Sequence, residues 1–296
     1  MPIVNARRLA VCAALVAAFA QAGFAADILI VDAKSGPESL TVAPGGVLIV
    51  GSASTPFVYK VRSGSTTAEK FVDASAEGAG TIFLGMLADA STNTLWTCQL
   101  TPVPGMPAQR RSALRSFNLD TGAPKIRWNL PGDSNVCNDF SVGPDKALYI
   151  TDTGNGKIFK LPAGSSSADL FLEDRDALIG IDGITFLNGT LYVNNVRTNK
   201  IYRVPVNPAG KAGPVVEIAL DQPLKGPDGM RAANGKLLVA ENGAGKISAI
   251  AVSGDKGTVT VIKEGLNTPT AVEPAGDMIW IAERATGKAV SMPMPK

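Results

Sequence analysis

The sequence predicts an all-β chain, a six-bladed β-propeller, and three observations carry that reading. One pattern of short apolar strands and Gly-containing turns recurs six times, in units beginning at residues 38, 85, 138, 182, 228 and 270. The spacing of 42–53 residues, with three or four strands per unit, is the signature of a propeller blade. Glycine and proline are abundant, 31 and 20 of 296 residues, without a collagen-like period, as many strands joined by tight turns require.

Residues 1–25 read as a secretory signal that precedes the domain at 26–296. Arg7 and Arg8 lead into an apolar run from Leu9 to Ala20, which is too short to span a bilayer. Gly23-Phe24-Ala25 then supplies small residues for cleavage before Ala26, with Ala20-Gln21-Ala22 as a second candidate. Cys12 lies inside the run, so it is no lipid anchor. The expected mature protein is soluble and periplasmic or secreted. It retains 26 basic and 26 acidic residues and has no basic patch with interleaved aromatics, which argues against nucleic-acid or membrane partners.

The orphan strand DILIVD at 27–32 is expected to complete the sixth unit, which otherwise lacks a fourth strand, and so to close the ring. Unit one, at 38–61, reads ESLTVAPGGVLIVGSASTPFVYKV and is followed by the outer strand EKFV near 69. Unit two is less regular: GMLADASTNTLWTCQL at 85–100 is separated from its third strand, SALRSFNL at 112–119, by a Pro-rich insertion at 101–111, and KIRWNL follows near 125. Units three and four are NDFSVGPDKALYITDTGNGKIFKL and DGITFLNGTLYVNNVRTNKIYRV, with outer strands DLFLE and VVEIAL. Unit five, DGMRAANGKLLVAENGAGKISAI, continues into TVTVIK, and unit six is TAVEPAGDMIWIAERATGKAVSM. Asn188-Gly189 and Asn234-Gly235 predict type I′ hairpins, because both residues tolerate positive φ.

Ring symmetry converts these positions into geometry. The residues just before the innermost strands, Glu38, Gly85 or Met86, Asn138, Asp182, Asp228 and Thr270, should face one mouth of the central channel. Three carboxylates and an amide oxygen converging there suit a hard divalent cation, Ca²⁺ first, with Mg²⁺ or Mn²⁺ as alternatives. The competing explanation is that Asp-Gly and Asn-Asp are ordinary turn dipeptides. Histidine is absent, which excludes a His base, a Ser-His-Asp triad and His-liganded zinc. Cys98 and Cys137, an even pair in an exported chain, predict a disulfide, against two buried free thiols.

At these motifs the chain resembles the gluconolactonase, senescence-marker-protein and luciferin-regenerating-enzyme family of six-bladed propellers and, more distantly, the paraoxonases. PESLTVAPGG places Glu38, CNDFSVGPD places Asn138 and Asp139, IDGITFLNGTLYV places Asp182, and GPDGMRAANGKLLVAE places Asp228. The resemblance implies that Glu38, Asn138, Asp182 and Asp228 bind one divalent cation and that Asp228 is the general base in lactone hydrolysis. Two departures stand out: Val136 stands where the family's sugar lactonases carry Arg, which points away from gluconolactone-type substrates, and Asp182 replaces an Asn, a third negative charge that should tighten cation binding and weaken the ion's pull on a substrate carbonyl.

The reading is therefore a metal-dependent hydrolase of lactones or related esters acting on a small molecule. The 101–111 insertion is either a plain surface hairpin or a lid with Arg110 or Arg111 touching an acidic substrate. The alternative function is a non-catalytic propeller that binds a ligand or partner. A strictosidine-synthase-like use of Glu241 or Glu283 is a third reading. Both follow second strands, away from the mouth.

Overall fold

The computed structural model describes residues 27–295. The signal expected over 1–25 lies outside them. Six sheets succeed one another along the chain, and the first strand of each lies innermost. These first strands are Pro37–Ala43, Ile82–Asp89, Cys137–Val142, Ile181–Leu187, Pro227–Ala233 and Pro269–Ala275. Each contacts the first strand of its neighbour, blade six meeting blade one, so the ring is complete.

The core is divided rather than central. Six hydrophobic clusters occupy the six interfaces between adjacent blades. The physical cause is strand alternation: each sheet sends alternate side chains to the blade on either side. Trp96 and Trp280 pack at such interfaces, as second-strand tryptophans should, and half-buried Trp128 packs edge-on against Phe159, with centroids 5.2 Å apart.

The chain closes the ring as expected. Asp27–Leu29 pairs antiparallel with Lys288–Pro293 as the outer strand of blade six. Ile28 and Ile30 bury themselves in the cluster between blades six and one. Both Asn-Gly hairpins have positive φ at both residues, 50° and 78° at Asn188-Gly189 and 49° and 73° at Asn234-Gly235.

Two elements differ from expectation, and the predicted disulfide forms. In blade two the insertion is no separate loop: Thr94–Val103 and Met106–Asn118 pair through it as one long hairpin, so the third strand starts at Met106, not near 112. In blade four the segment VVEIAL splits. Val216–Glu217 stays with blade four, while Ala219–Leu220 pairs parallel with Lys256–Lys263 on the outer edge of blade five. The Cys98–Cys137 disulfide forms, with Cα atoms 5.3 Å apart, and ties the second strand of blade two to the start of blade three. Among the described residues, no helix is long and apolar enough to cross a membrane.

Candidate functional site

The predicted site residues do not precede the innermost strands. They lie inside them, in a β-bulge that recurs in all six blades. Register breaks between Pro37 and Leu40, Phe83 and Met86, Cys137 and Phe140, Ile181 and Ile184, Pro227 and Met230, and Pro269 and Ala271. A bulge leaves residues outside the ladder and re-aims their side chains. Here it turns Glu38, Asn138, Asp182, Asp228 and Thr270 toward one small cavity, which Gly85 also lines. Met86, the other blade-two candidate, is instead fully buried in the core between blades one and two.

The Asp-Gly pairs therefore serve close packing, not turns. A Cβ on Gly183 would come within 2.5 Å of Met230 N, and one on Gly229 within 2.7 Å of Thr270 O. Glycine at the second bulge position lets each bulge press against the next. Side chains from second strands lock them: Asn194 accepts from Gly183 N at 2.9 Å and donates to Asp228 O, and the Thr151 hydroxyl donates to Asp182 O at 3.0 Å.

Glu38, Asn138, Asp182 and Asp228 are all buried. The cavity between them measures about 10 Å³, room for about one water-sized group. Asn138 donates from Nδ2 to Asp182 Oδ2 at 2.9 Å and to Thr153 Oγ1 at 3.1 Å, which leaves its carbonyl oxygen free to accept or to ligate a cation. Asn242 donates to Asp228 Oδ2 at 2.8 Å. Glu38 Oε2 is buried with no hydrogen-bond partner.

Burial, then the charges of Asp228 and Asp139, hold Glu38 well above the usual carboxylate range, against the pull of Arg284 and Arg231. Asp182 is raised for the same reasons, burial first and then Asp228, Glu38 and Asp139. Burial pushes Asp228 up to about 7, opposed by the Asn242 hydrogen bond and by Arg284.

An oxygen-only donor set, an orphaned carboxylate oxygen and three mutually repelling acids fit a hard divalent cation. Among the described residues, no three acidic or thiol side chains already stand in ligating geometry. Asp182 and Asp228 each bond an amide instead, Asp182 that of Asn138 and Asp228 that of Asn242, so ligation requires the carboxylates to rearrange.

Sequence reasoning named Asp139 without a role and passed over three further neighbours. Asp139 and Arg231 line the same cavity, Asn242 grips Asp228, and Arg284 acts on Glu38 and Asp228 by charge. Asp139 and Arg231 sat within the motifs, one residue after Asn138 and three after Asp228, but nothing in a linear pattern says that they meet.

Arg110 and Arg111 lie apart from the acids. They line a cleft of about 830 Å³ bounded by the blade-two hairpin and the loop that runs from Leu130 to Val136. Arg110 Nη1 donates to Gly80 O at 2.6 Å. Val136 ends the cleft wall two residues before Asn138, and the disulfided Cys137 lies between them.

Glu241 and Glu283 stand away from the cavity, as their position after second strands requires. Each is a buried latch: Glu241 accepts from Lys225 N at 2.8 Å and Glu283 from Asn267 N at 2.7 Å, pinning the loop that leads into the innermost strand of its own blade. Asp152 does the same in blade three, accepting from Val136 N at 2.8 Å.

No protein-family model matches the chain, and no curated protein matches its sequence. Solved structures do. A luciferin-regenerating enzyme superposes with a TM-score of 0.67 at 13% identity, covering 92% of this chain and 96% of that one. A putative gluconolactonase superposes at 0.66 and 16% identity, covering 92% and 94%. A virginiamycin B lyase from Staphylococcus aureus superposes at 0.63 and 16% identity, covering 92% and 99%. The likeness is one of fold. It agrees with the resemblance carried by the bulge motifs, and several of these propellers are enzymes by name.

Proposed function

We propose that the protein is an exported, divalent-cation-dependent hydrolase of lactones or related esters. The observation that carries the reading is the convergence of Glu38, Asn138, Asp182 and Asp228 from four blades onto one ion-sized cavity. Glu38, Asn138 and Asp182 would hold the cation, Ca²⁺ before Mg²⁺ or Mn²⁺, and Asp228 completes the set. A bound divalent cation supplies Lewis acidity to an ester carbonyl.

Asp228 takes a proton from the attacking water, with Asn242 holding its Oδ2 in place. It then returns that proton to the departing alkoxide oxygen, so the products are a hydroxy acid, or an acid and an alcohol. Its carboxylate form accepts the proton and its acid form returns it. The cleft of about 830 Å³ has the size of a small-molecule site and would seat the ester beside the cavity, with Arg110 and Arg111 on its wall. Val136, in place of an Arg, directs the preference toward less polar esters than sugar lactones.

A second reading, a non-catalytic binding module, is favoured by the size of the cavity at the acids, which admits an ion or a water but no ester carbonyl without movement. One experiment separates the two. Metal analysis of the purified mature protein is followed by a lactone and ester panel before and after chelation. Bound cation with chelator-sensitive turnover supports the hydrolase, bound cation without turnover supports the binding module, and no cation at a saturating supply overturns the site.

A further inference from the structure

The residues that follow the second strands form a second tier at the channel mouth. In five blades they are Ala53, Thr153, Val196, Asn242 and Arg284. The last residue of each of these strands pairs with the first residue of its innermost strand, so the tier lies one step farther out than the bulges. Each member donates its backbone N–H, at 2.9–3.1 Å, to the carbonyl just before its own blade's innermost strand. That shared bond sets all five at one height, and all five are half-buried. Where a short polar side chain stands there, it meets the bulge residue of its own blade. Thr153 Oγ1 accepts from Asn138 at 3.1 Å, and Asn242 donates to Asp228 at 2.8 Å.

Arg284 is the charged member of the tier. The blade-six bulge beneath it carries no acid, only Thr270, whose hydroxyl donates to Pro37 O at 3.3 Å. Among the described residues, the Arg284 guanidinium has no hydrogen-bond or ion-pair partner, whereas Arg115 and Arg231 are both ion-paired. Its charge is nevertheless felt by Glu38 and Asp228, in the blades on either side. The guanidinium therefore stands near the acids but beyond ion-pair distance. A half-buried fork of donors bonded to nothing is open to a ligand, and a carboxylate matches its shape and charge.

We infer that Arg284 receives the carboxylate of a small acidic ligand at the channel mouth, opposite the cation held by Glu38, Asn138, Asp182 and Asp228. Those three acids and a divalent cation leave one negative charge, and Arg284 cancels it. The loaded mouth therefore accepts a monocarboxylate that the acids alone would repel. Arg284 in this way offsets, where the ligand binds, the extra charge that Asp182 brings. The ligand lies in the outer tier, so the small cavity at the acids need not admit it. The inference rests on the cation site proposed above but not on turnover. For a hydrolase the ligand is the hydroxy acid that ester cleavage releases, and for a binding module it is an acidic small molecule taken up as such.

The probe is γ-hydroxybutyrate, the acid that γ-butyrolactone releases, titrated calorimetrically into the calcium-saturated mature protein. Arg284→Met should weaken its binding by about 10–100-fold, the size of a hydrogen bond between charged groups. Calcium, titrated separately, should bind that variant at least as tightly as the wild type, because a nearby positive charge is gone. Arg284→Lys keeps the charge but loses the fork, and its affinity for the acid should fall between the two. Equal affinity for the acid in all three proteins, or no binding of the acid to the calcium-loaded wild type, would overturn the role of Arg284 and leave the cation site standing. Absence of calcium binding would overturn the cation site and this inference together.

Discussion

Arg231 donates from Nη1 to Asp139 Oδ2 at 2.7 Å and from Nη2 to Asp139 Oδ1 at 3.1 Å, a two-pronged ion pair that crosses the channel from blade five to blade three. Its Nε also donates to Glu273 Oε2 of blade six at 3.0 Å, and Glu273 accepts from Thr41 of blade one at 3.1 Å. The network lies just beneath the site acids and separates their cavity from an open depression of about 430 Å³ that Thr41, Arg231 and Glu273 also line. It is an axle that joins three blades by charge and a fourth through the Thr41 hydroxyl.

Breaking that axle should be costly. Arg231→Met leaves Asp139 and Glu273 buried without their counter-charge, and a buried pair broken from one side loses about 3–5 kcal/mol. Chemical denaturation should show a loss of that order, and adding Asp139→Asn should recover part of it. Equal stability of the single variant and the wild type would show that the axle contributes nothing.

The acids make the cation-free protein sensitive to pH. Glu38, Asp182 and Asp228 titrate higher in the folded state than in the unfolded chain, Asp228 near 7, so the folded state binds more protons between about pH 4 and 7. Stability is therefore lost as pH rises through that window. A cation competes with those protons, so its apparent affinity should climb from pH 5 to pH 8. Melting curves with chelator and with Ca²⁺ should converge at pH 5 and separate at pH 8. A constant gap would contradict the site.

Asp228→Asn should separate chemistry from fold. Hydrolysis should fall by about 10²–10⁴-fold if Asp228 is the base. The chelated protein at pH 8 should melt no lower than the wild type, because one of three repelling buried charges is gone. Full activity in the variant would remove Asp228 from the base role.

The disulfide closes a loop with a sequence separation of 39 and immediately precedes Asn138. Replacing Cys98 and Cys137 by Ser should cost about 2–5 kcal/mol. It should also weaken cation binding, because the blade-three bulge loses its tie to blade two. Calorimetric titration of the double-Ser protein with Ca²⁺ checks the second effect separately from the first.

The ring, its closure by the strand near residue 28 and the meeting of Glu38, Asn138, Asp182 and Asp228 were legible because repetition converts sequence position into radius and height. Local chemistry was enough for the Asn-Gly hairpins. Where symmetry breaks, legibility ends. The blade-two hairpin reads as an insertion because Pro102 and Pro104 interrupt its strand pattern, and the split after Glu217 depends on an edge of blade five that lies some 40 residues ahead in the chain.

By itself, then, the sequence determined the repeat, the absence of histidine chemistry and the four oxygen-bearing side chains, Glu38, Asn138, Asp182 and Asp228, that equivalent positions bring to one mouth. Only the tertiary structure decided how those side chains are aimed, which amides bond them and which groups lie beneath. The reason is physical: bulge geometry and the Arg231 ion pairs both arise between strands distant in sequence, where burial sets the cost of every unpaired charge.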